Sequence, residues 1–124
     1  MKIRIKENSV RFRLTRSEVD QVCTEGSYME YTEFDTTHFI YGVTVKEDIS
    51  DLMADFVGHS VILYLPKRFI EEWKHTDRVG FERQIPLKNG KTLLALVEKD
   101  FVCMDDNRED QSDNYPNPMT DKLR

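Results

Sequence analysis

Apolar and charged side chains alternate along the N-terminal residues in two short runs. In residues 1–6 the cations occupy the even positions, and in residues 10–14 they occupy the odd positions. Strict alternation is typical of a half-buried β-strand. The two runs therefore predict a hairpin in which Ile3 pairs with Phe12 and residues 7–8 form the turn. The side chains expected to enter the core are those of its apolar face: Ile3, Ile5, Val10, Phe12 and Leu14.

The opposite face of this hairpin carries positive charge only. Its cations are Lys2, Arg4, Lys6, Arg11 and Arg13. Like charges that face each other across a ladder are destabilising, so Arg4 opposite Arg11 needs an anion nearby. The anion is either internal or part of a ligand, and the residues alone leave both alternatives open. The internal candidates are Glu82, Glu98 and Asp100. We predict that this face is the principal anion site of the protein.

Two short helices are indicated, each following a strand. Thr15 and Glu18 have the spacing of a capping box, so the first helix is expected over residues 16–24, with Gly26 ending it. The second helix is expected to have Pro66 at its first position. Its apolar face comprises Phe69, Ile70 and Trp73.

Further alternating segments predict strands between and after the helices. They cover residues 28–33, 38–45, 52–56, 60–65, 79–87 and 92–102. Asn89 and Gly90 join the last two segments, and this dipeptide is the strongest hairpin signal in the chain because both turn positions favour positive φ. No internal repeat is visible in the sequence.

These elements predict an α+β fold that is mostly β. Adjacent hairpins and short connections favour a strongly curved antiparallel sheet or an open barrel of about seven strands, with two short helices at its ends or on one face. Helices of crossover length are too few for a parallel α/β fold. The 124 residues can build an ordinary core. We expect one globular domain over residues 1–104 and an acidic, polar tail over residues 105–124.

Charge and cysteine content narrow the classes of function. The net charge of −5 argues against affinity for nucleic acid or anionic membranes. Residues 1–16 nevertheless hold six cations and one anion, whereas residues 105–124 hold six anions and three cations. No stretch approaches the roughly 20 apolar residues of a membrane helix, and no signal peptide is recognisable. We therefore expect a cytoplasmic protein in which Cys23 and Cys103 are free thiols, the alternative being a disulfide.

Residue types of catalytic and metal sites occur without the spacing that such sites need. The glycines are isolated, and the three histidines show no metal-binding spacing. Alternating oxygens after Asp105 resemble a calcium loop, but Asp110 and Pro116 stand where that loop needs Gly and Glu. The N-terminal cations invite comparison with triphosphate-tunnel enzymes, yet the chain has no ExExK strand. We predict no catalytic residue, no metal and no cofactor.

The acidic tail contains one aromatic anchor. Tyr115 is followed by Pro116 and Pro118, which hold the segment extended. A purely solvated tail has little use for such an anchor, so we expect Tyr115 to pack on the globular domain. Asp110 or Asp113 should then lie near the hairpin cations and compete with outside anions.

Two resemblances add to these inferences. Leu65-Pro66-Lys67, a short helix and Asp77-Arg78-Val79 are similar to the swapped-hairpin transition-state regulators, which bind DNA as dimers, although the net acidity opposes DNA binding. The whole chain resembles a small family of uncharacterised bacterial proteins, through residues 2–9, 77–82, 98–103 and 109–118. That family has no assigned activity, cofactor or partner, so the resemblance implies no catalytic residue.

The function that these observations favour is a non-enzymatic binding or interaction protein that uses the basic hairpin face. The alternative is an enzyme or sensor for a small phosphorylated or carboxylated ligand bound at that face. The expected partner is a small anion or an acidic protein segment, and a homodimer is a further alternative. A concave cationic face would favour a ligand, whereas a flat and exposed one would favour an interaction.

Overall fold

The computed structural model describes residues 1–101 and 112–116, and over these residues the chain forms eight strands and two helices. The strands are β1 (Lys2–Lys6), β2 (Ser9–Leu14), β3 (Ser27–Glu33), β4 (His38–Lys46), β5 (Met53–Val57), β6 (Ser60–Pro66), β7 (Gly80–Pro86) and β8 (Thr92–Lys99). The helices are α1 (Arg16–Glu25) and α2 (Arg68–His75). The fold is therefore mostly β with two short helices, as expected.

The strands form two four-stranded sheets, which differs from the expected single array of about seven strands. Sheet A has the order β1-β2-β8-β7, and sheet B has the order β3-β4-β6-β5. In each sheet two antiparallel hairpins meet through one parallel pair, β2 with β8 and β4 with β6. The reason for the difference is physical. Alternation within a segment specifies a hairpin, but it carries no information on which hairpins become neighbours.

The two sheets are related by an internal repeat of topology. The order β-β-α-β-β occurs twice along the chain, from β1 to β4 and from β5 to β8. Each sheet combines the first hairpin of one half with the second hairpin of the other half. The row of paired residues Ile3, Phe12, Val97 and Phe81 in sheet A matches the row Ala54, Leu63, Val43 and Tyr28 in sheet B. The chain thus contains a repeat of topology that is not visible in its residue types.

One hydrophobic core joins both sheets and both helices. Its fully buried members include Phe12, Leu14, Val43, Leu63, Leu65, Val97, Val19, Val22 and Trp73. Of the five predicted core residues of the hairpin, the three on β2 are buried and Ile3 packs partly against the core. Ile5 is different, because 62% of its surface is exposed. It lies beside the hairpin turn, where the strands leave the core, and its counterpart Phe56 beside the β5–β6 turn is 74% exposed.

The N-terminal hairpin has the predicted register. Ile3 pairs with Phe12, and Arg4 pairs with Arg11. Glu7 lies in the turn with the left-handed φ of 51°. This hairpin follows its local pattern because its two strands are neighbours in sequence and one face of it is buried.

The two helices differ in how closely they follow their signals. Helix α1 begins after Thr15, whose backbone N–H donates to Glu18 Oε1 at 2.8 Å, and it ends at Gly26 with φ 90°. Helix α2 begins at Arg68 instead of Pro66, because Pro66 is still the last residue of β6. The predicted start of the second helix is therefore wrong by two positions, whereas its apolar face is buried around Trp73 as expected.

The turn between β7 and β8 uses the positive φ of only one of the two residues for which it was predicted. Gly90 has φ 85°, whereas Asn89 does not adopt a positive φ. The Gly90 N–H donates to Leu87 O at 3.1 Å, and the Leu87 N–H donates to Lys91 O at 2.8 Å. A single left-handed glycine after a β-turn closes such longer hairpin loops. The dipeptide thus identifies the hairpin correctly, but the positive φ expected at Asn89 is wrong.

Tyr115 packs on the body of the protein, as predicted for an anchor. The residue is half-buried, and its ring lies against Phe101 with 5.8 Å between the ring centres. Its backbone N–H donates to Asp100 O at 2.8 Å. The short segment 112–116 is therefore held beside the end of β8.

The expectation that Asp113 lies near the hairpin cations is wrong, because Asp113 binds the start of α1. It accepts hydrogen bonds from Ser17 at the start of α1, through the backbone N–H at 3.3 Å and through Oγ at 2.5 Å. The exposed N–H groups of the first helical turn attract this carboxylate because they have no partner within the helix. Asp110, the other predicted contact, lies outside the described residues, as does Cys103.

Candidate functional site

The predicted anion-site residues lie together on the outer side of sheet A, on a surface that we name the cationic face. It comprises Lys2, Arg4, Lys6, Arg11 and Arg13. Alternation along β2 turns its cations away from the core, since the residues between them are buried. β1 is an edge strand that brings Arg4 opposite Arg11 and Lys2 opposite Arg13. The structure therefore places all five cations on one side of one hairpin.

Two carboxylates near the end of β8 pair with part of the cationic face. Glu98 Oε1 lies 3.1 Å from Arg11 Nε and 3.2 Å from Arg13 Nε. Asp100 Oδ2 lies 3.1 Å from Lys2 Nζ. Glu98 stands beside Arg13 in the parallel β2–β8 register, so the pairing follows from the topology that joins the first hairpin to the last strand. Two of the three internal acids named from the sequence thus take part.

The end of the cationic face near its turn keeps an excess of positive charge. Within residues 1–101 and 112–116, no carboxylate lies within salt-bridge distance of Arg4 or Lys6. The β7–β8 turn, which contains Lys88 and Lys91, lies beside the turn of the first hairpin, because Asn8 Nδ2 donates to Thr92 O at 2.5 Å. This end is therefore where an outside anion would meet the least competition.

Half-buried leucines continue the cationic face across sheet A. Leu94 and Leu96 on β8 stand beside Ser9 and Arg11 in the parallel register. Beyond them, a depression of about 290 Å³ is lined in part by Glu82 of β7. The surface is consequently open, with cations at one side and apolar contacts beside them, and the cations follow two strands without converging on a deep cavity.

A second cluster of titratable groups, which we name the polar centre, is not indicated by any pattern in the sequence. It comprises Met1, Glu18, Tyr28, Glu30 and Tyr41. The Met1 ammonium lies 2.5 Å from Glu18 Oε2 and 2.8 Å from Glu30 Oε1. Tyr28 and Tyr41 donate to the Glu30 carboxylate at 3.0 and 2.7 Å. Glu18 therefore belongs both to the polar centre and to the N-terminal cap of α1, because its Oε1 accepts a hydrogen bond from the Thr15 N–H.

In the polar centre, the Met1 ammonium and the Glu30 carboxylate each stabilise the charged form of the other and so shift its pKa. Burial opposes the charge of the Met1 ammonium, but hydrogen bonds and charges of Glu18 and Glu30 outweigh it and raise the pKa. Burial also opposes ionisation of Glu30, and its bonds to the ammonium and to the phenols overcome it, so the pKa of Glu30 is lowered. Burial, then the bond to Glu30, raises the pKa of Tyr41 to about 12. The polar centre therefore consists of an ammonium group between two carboxylates, and two neutral phenols donate hydrogen bonds to the Glu30 carboxylate.

Other chemistry-bearing side chains stay apart in the described part of the chain. No group of three or more His, Cys, Asp or Glu side chains there could hold a metal ion. Cys23 is a half-buried free thiol whose pKa is raised by burial. Among the same residues no helix has the length and apolar character needed to cross a membrane.

The fold and its cationic face define a mostly β protein built from two halves that exchange hairpins. A family model, described as a family of unknown function (DUF7009), matches residues 1–119. The chain therefore belongs to this family, in agreement with the resemblance seen in the sequence. No curated protein and no solved structure matches the chain.

Proposed function

We propose that the protein is a non-enzymatic binding protein that recognises an acidic segment of a partner protein through the cationic face. The observation that carries this proposal is the charge excess on that face, where Arg4 stands opposite Arg11 and the carboxylates of Glu98 and Asp100 pair with only part of the cations. Partner carboxylates would relieve the repulsion between the two guanidinium groups, which grip such groups through paired hydrogen bonds.

The shape of the cationic face favours an extended partner over a small ligand. Its side chains follow β1 and β2, and Leu94 and Leu96 provide apolar contacts beside them. β1 is an edge strand, so its outer backbone groups can pair with an added strand. Lysine and arginine on an edge discourage pairing with another cationic strand. An acidic extended segment is therefore the partner that this edge accepts.

The test is binding of a fluorescent oligo-glutamate peptide to the full chain, measured by anisotropy at low salt. Replacing Arg4→Gln and Lys6→Gln together should weaken binding by about tenfold or more, since two charge-assisted contacts are lost. Added salt should weaken the binding of the unchanged protein.

The matched control is the double variant Lys46→Gln with Lys67→Gln, which removes the same charge from sheet B and the start of α2. Its affinity should stay within about twofold of the unchanged protein. Equal losses in both double variants would mean attraction by net charge alone and would contradict the proposal.

A small phosphorylated or carboxylated ligand at the same face is the second candidate, because guanidinium pairs also bind such groups. Thermal shift with phosphate and citrate separates the two. We expect no rise in melting temperature. A rise that disappears in the double variant Arg4→Gln with Arg11→Gln would replace the acidic segment by a small anion.

A further inference from the structure

A cavity of about 790 Å³ lies between the start of α1, the end of α2 and the segment 112–116. Its rim carries Arg16, Asp20, Lys74, His75 and Asp77. The rest of its lining includes the buried Lys99, the half-buried Phe101 and Tyr115, and the exposed Val79 and Pro116. The volume is that of a typical small-molecule site. None of the residues that line it belongs to the cationic face, so the two sites are separate.

Lys99 distinguishes this cavity because its side chain is almost completely buried at the end of β8. The residue is 7% exposed, and its ammonium donates to Thr76 O at 3.0 Å. Within residues 1–101 and 112–116, no carboxylate lies within salt-bridge distance of this ammonium. Burial lowers the pKa of Lys99, while Asp77 acts from farther away in the opposite direction. A buried charge without a paired anion is costly, so an incoming anion would be stabilised here.

Arg16 brings a second cation to the same aromatic ring. The centre of the Tyr115 ring lies 5.3 Å from Arg16 Cζ and 5.1 Å from Lys99 Nζ. Burial raises the pKa of Tyr115 to about 12, so the neutral phenol does not balance either charge at pH 7. The ring is held in place by the hydrogen bonds of segment 112–116 to α1 and to the end of β8. Two cations that line the cavity thus lie close to one aromatic ring.

Charge and polarity of the lining indicate the class of ligand. The side chains include three cations and two carboxylates, so with His75 neutral they carry one net positive charge. That balance matches a monoanion, and the rim carboxylates of Asp20 and Asp77 oppose a phosphate dianion. Four apolar or aromatic residues beside the cations offer contact to a hydrophobic body.

We infer that this cavity binds a small organic monocarboxylate, with its carboxylate at Lys99 and Arg16 and its apolar body on the aromatic wall. The carboxylate and the apolar body would then lie next to each other, because both cations flank the Tyr115 ring. The inference does not depend on the cationic face, so either site can fail its test while the other stands.

Isothermal titration of the full chain with hydrocinnamate tests the inference. Hydrocinnamyl alcohol lacks the charge and inorganic phosphate lacks the apolar body, so each should bind about tenfold or more weakly than hydrocinnamate. Lys99→Met keeps the length of the buried side chain and removes its charge, and it should weaken hydrocinnamate binding by a similar factor. The control Lys67→Met removes a cation outside the cavity and should leave affinity unchanged.

Three results would overturn the inference: no binding of hydrocinnamate at millimolar concentration, unchanged affinity in Lys99→Met, or phosphate binding as tight as hydrocinnamate. Arg16→Gln changes an exposed rim residue and keeps the test decisive if Lys99→Met does not fold. It should weaken hydrocinnamate binding and leave the alcohol unaffected. Amide shifts on titration should appear around Phe101 and Tyr115 and not on β1, where shifts would also overturn the assignment.

Discussion

The two halves of the molecule share a topology but place different chemistry at equivalent positions. The row Ile5, Val10, Ala95 and Arg83 in sheet A corresponds to the row Phe56, Val61, Tyr41 and Glu30 in sheet B. Glu30 binds the Met1 ammonium, whereas Arg83 Nη1 donates to Leu52 O at 2.8 Å. Met1 and Leu52 are themselves equivalent, since each precedes the first strand of its half. In each half a charged side chain therefore binds the residue before the first strand. This side chain is the anionic Glu30 in the first half and the cationic Arg83 in the second half.

The helices continue this contrast. When the register that matches Phe12 with Leu63 is continued, Leu14 corresponds to Leu65, and Glu18 of the polar centre corresponds to Phe69 of α2. Phe69 stacks on Phe81 with 4.4 Å between the ring centres. The residue of the first half that corresponds to Phe81 is Tyr28. Among the described residues, no buried side-chain polar atom lacks a hydrogen-bond partner. The comparison teaches that one topology accepts an ion-pair network or an aromatic stack, provided that every buried polar group is satisfied.

The largest expected effect tests whether the two halves share one core. Phe12→Ala should destabilise the protein by about 3–5 kcal/mol, and the equivalent Leu63→Ala by about 2–5 kcal/mol, because both side chains are fully buried. Phe12 also makes an edge contact with Tyr41 at 6.2 Å. Urea unfolding monitored by circular dichroism measures both losses. Two separate transitions in either variant would show that the halves unfold independently and would contradict a shared core.

Local alternation predicts much of each half but not their combination. The register of the first hairpin and the limits of α1 follow from residues close in sequence, such as Thr15 and Glu18. The parallel pairs β2–β8 and β4–β6 join hairpins that are far apart in the chain, and only the packed core decides them. The repeat is hidden because equivalent positions differ in residue type, as Glu30 and Arg83 do with their opposite charges.

The polar centre should contribute more to stability than its counterpart. Glu30→Gln removes the charge that faces the Met1 ammonium and weakens the bonds from Tyr28 and Tyr41, so we expect a loss of about 1–3 kcal/mol. Arg83→Gln removes the bond to Leu52 O and a long ion pair with Asp51 at 3.9 Å, and it should cost about 1 kcal/mol. Urea unfolding gives both values. Glu33→Gln, an exposed change on the same strand, should stay within about 0.5 kcal/mol, and a Glu30→Gln loss no larger than this would contradict the structural role of the centre.

The pH dependence of stability sharpens the same contrast. The folded pKa of Glu30 is lowered, so its contribution is present above the unfolded value of about 4.3 and is lost as pH falls through the folded pKa. The folded pKa of the Met1 ammonium is raised, so its contribution is present below about pH 8 and is lost as pH rises through the folded pKa. The difference in melting temperature between the unchanged protein and Glu30→Gln should therefore be largest between about pH 5 and pH 8. If this difference in melting temperature did not depend on pH, Glu30 would stabilise the protein through packing and not through its charge.

The residues of the candidate sites differ in whether they could be predicted from the sequence. The cations of the hairpin and two of their acidic partners, Glu98 and Asp100, could be named from alternation and charge alone. The polar centre could not, since Glu18 and Glu30 lie 17 and 29 residues from Met1 and only the fold brings them together. The surroundings of Lys99 could not be predicted either, because they include the segment 112–116, whose Tyr115 ring centre lies 5.1 Å from Lys99 Nζ.

The smallest expected effect concerns how each half starts its helix. Asp113 accepts two hydrogen bonds from Ser17 at the start of α1, and the bond to Ser17 is the main cause that lowers the pKa of Asp113. The equivalent start of α2 has Lys67 without a side-chain cap. Asp113→Ala should therefore destabilise the protein by about 1 kcal/mol or less, because the cap is exposed to water, and Lys67→Ala should have almost no effect. Amide hydrogen exchange at Ser17 should become faster in Asp113→Ala and stay nearly unchanged in Asp113→Asn, which keeps an acceptor oxygen. Equal exchange at Ser17 in the unchanged protein and in Asp113→Ala would show that the segment 112–116 contributes nothing to α1, and that both helices start without outside help.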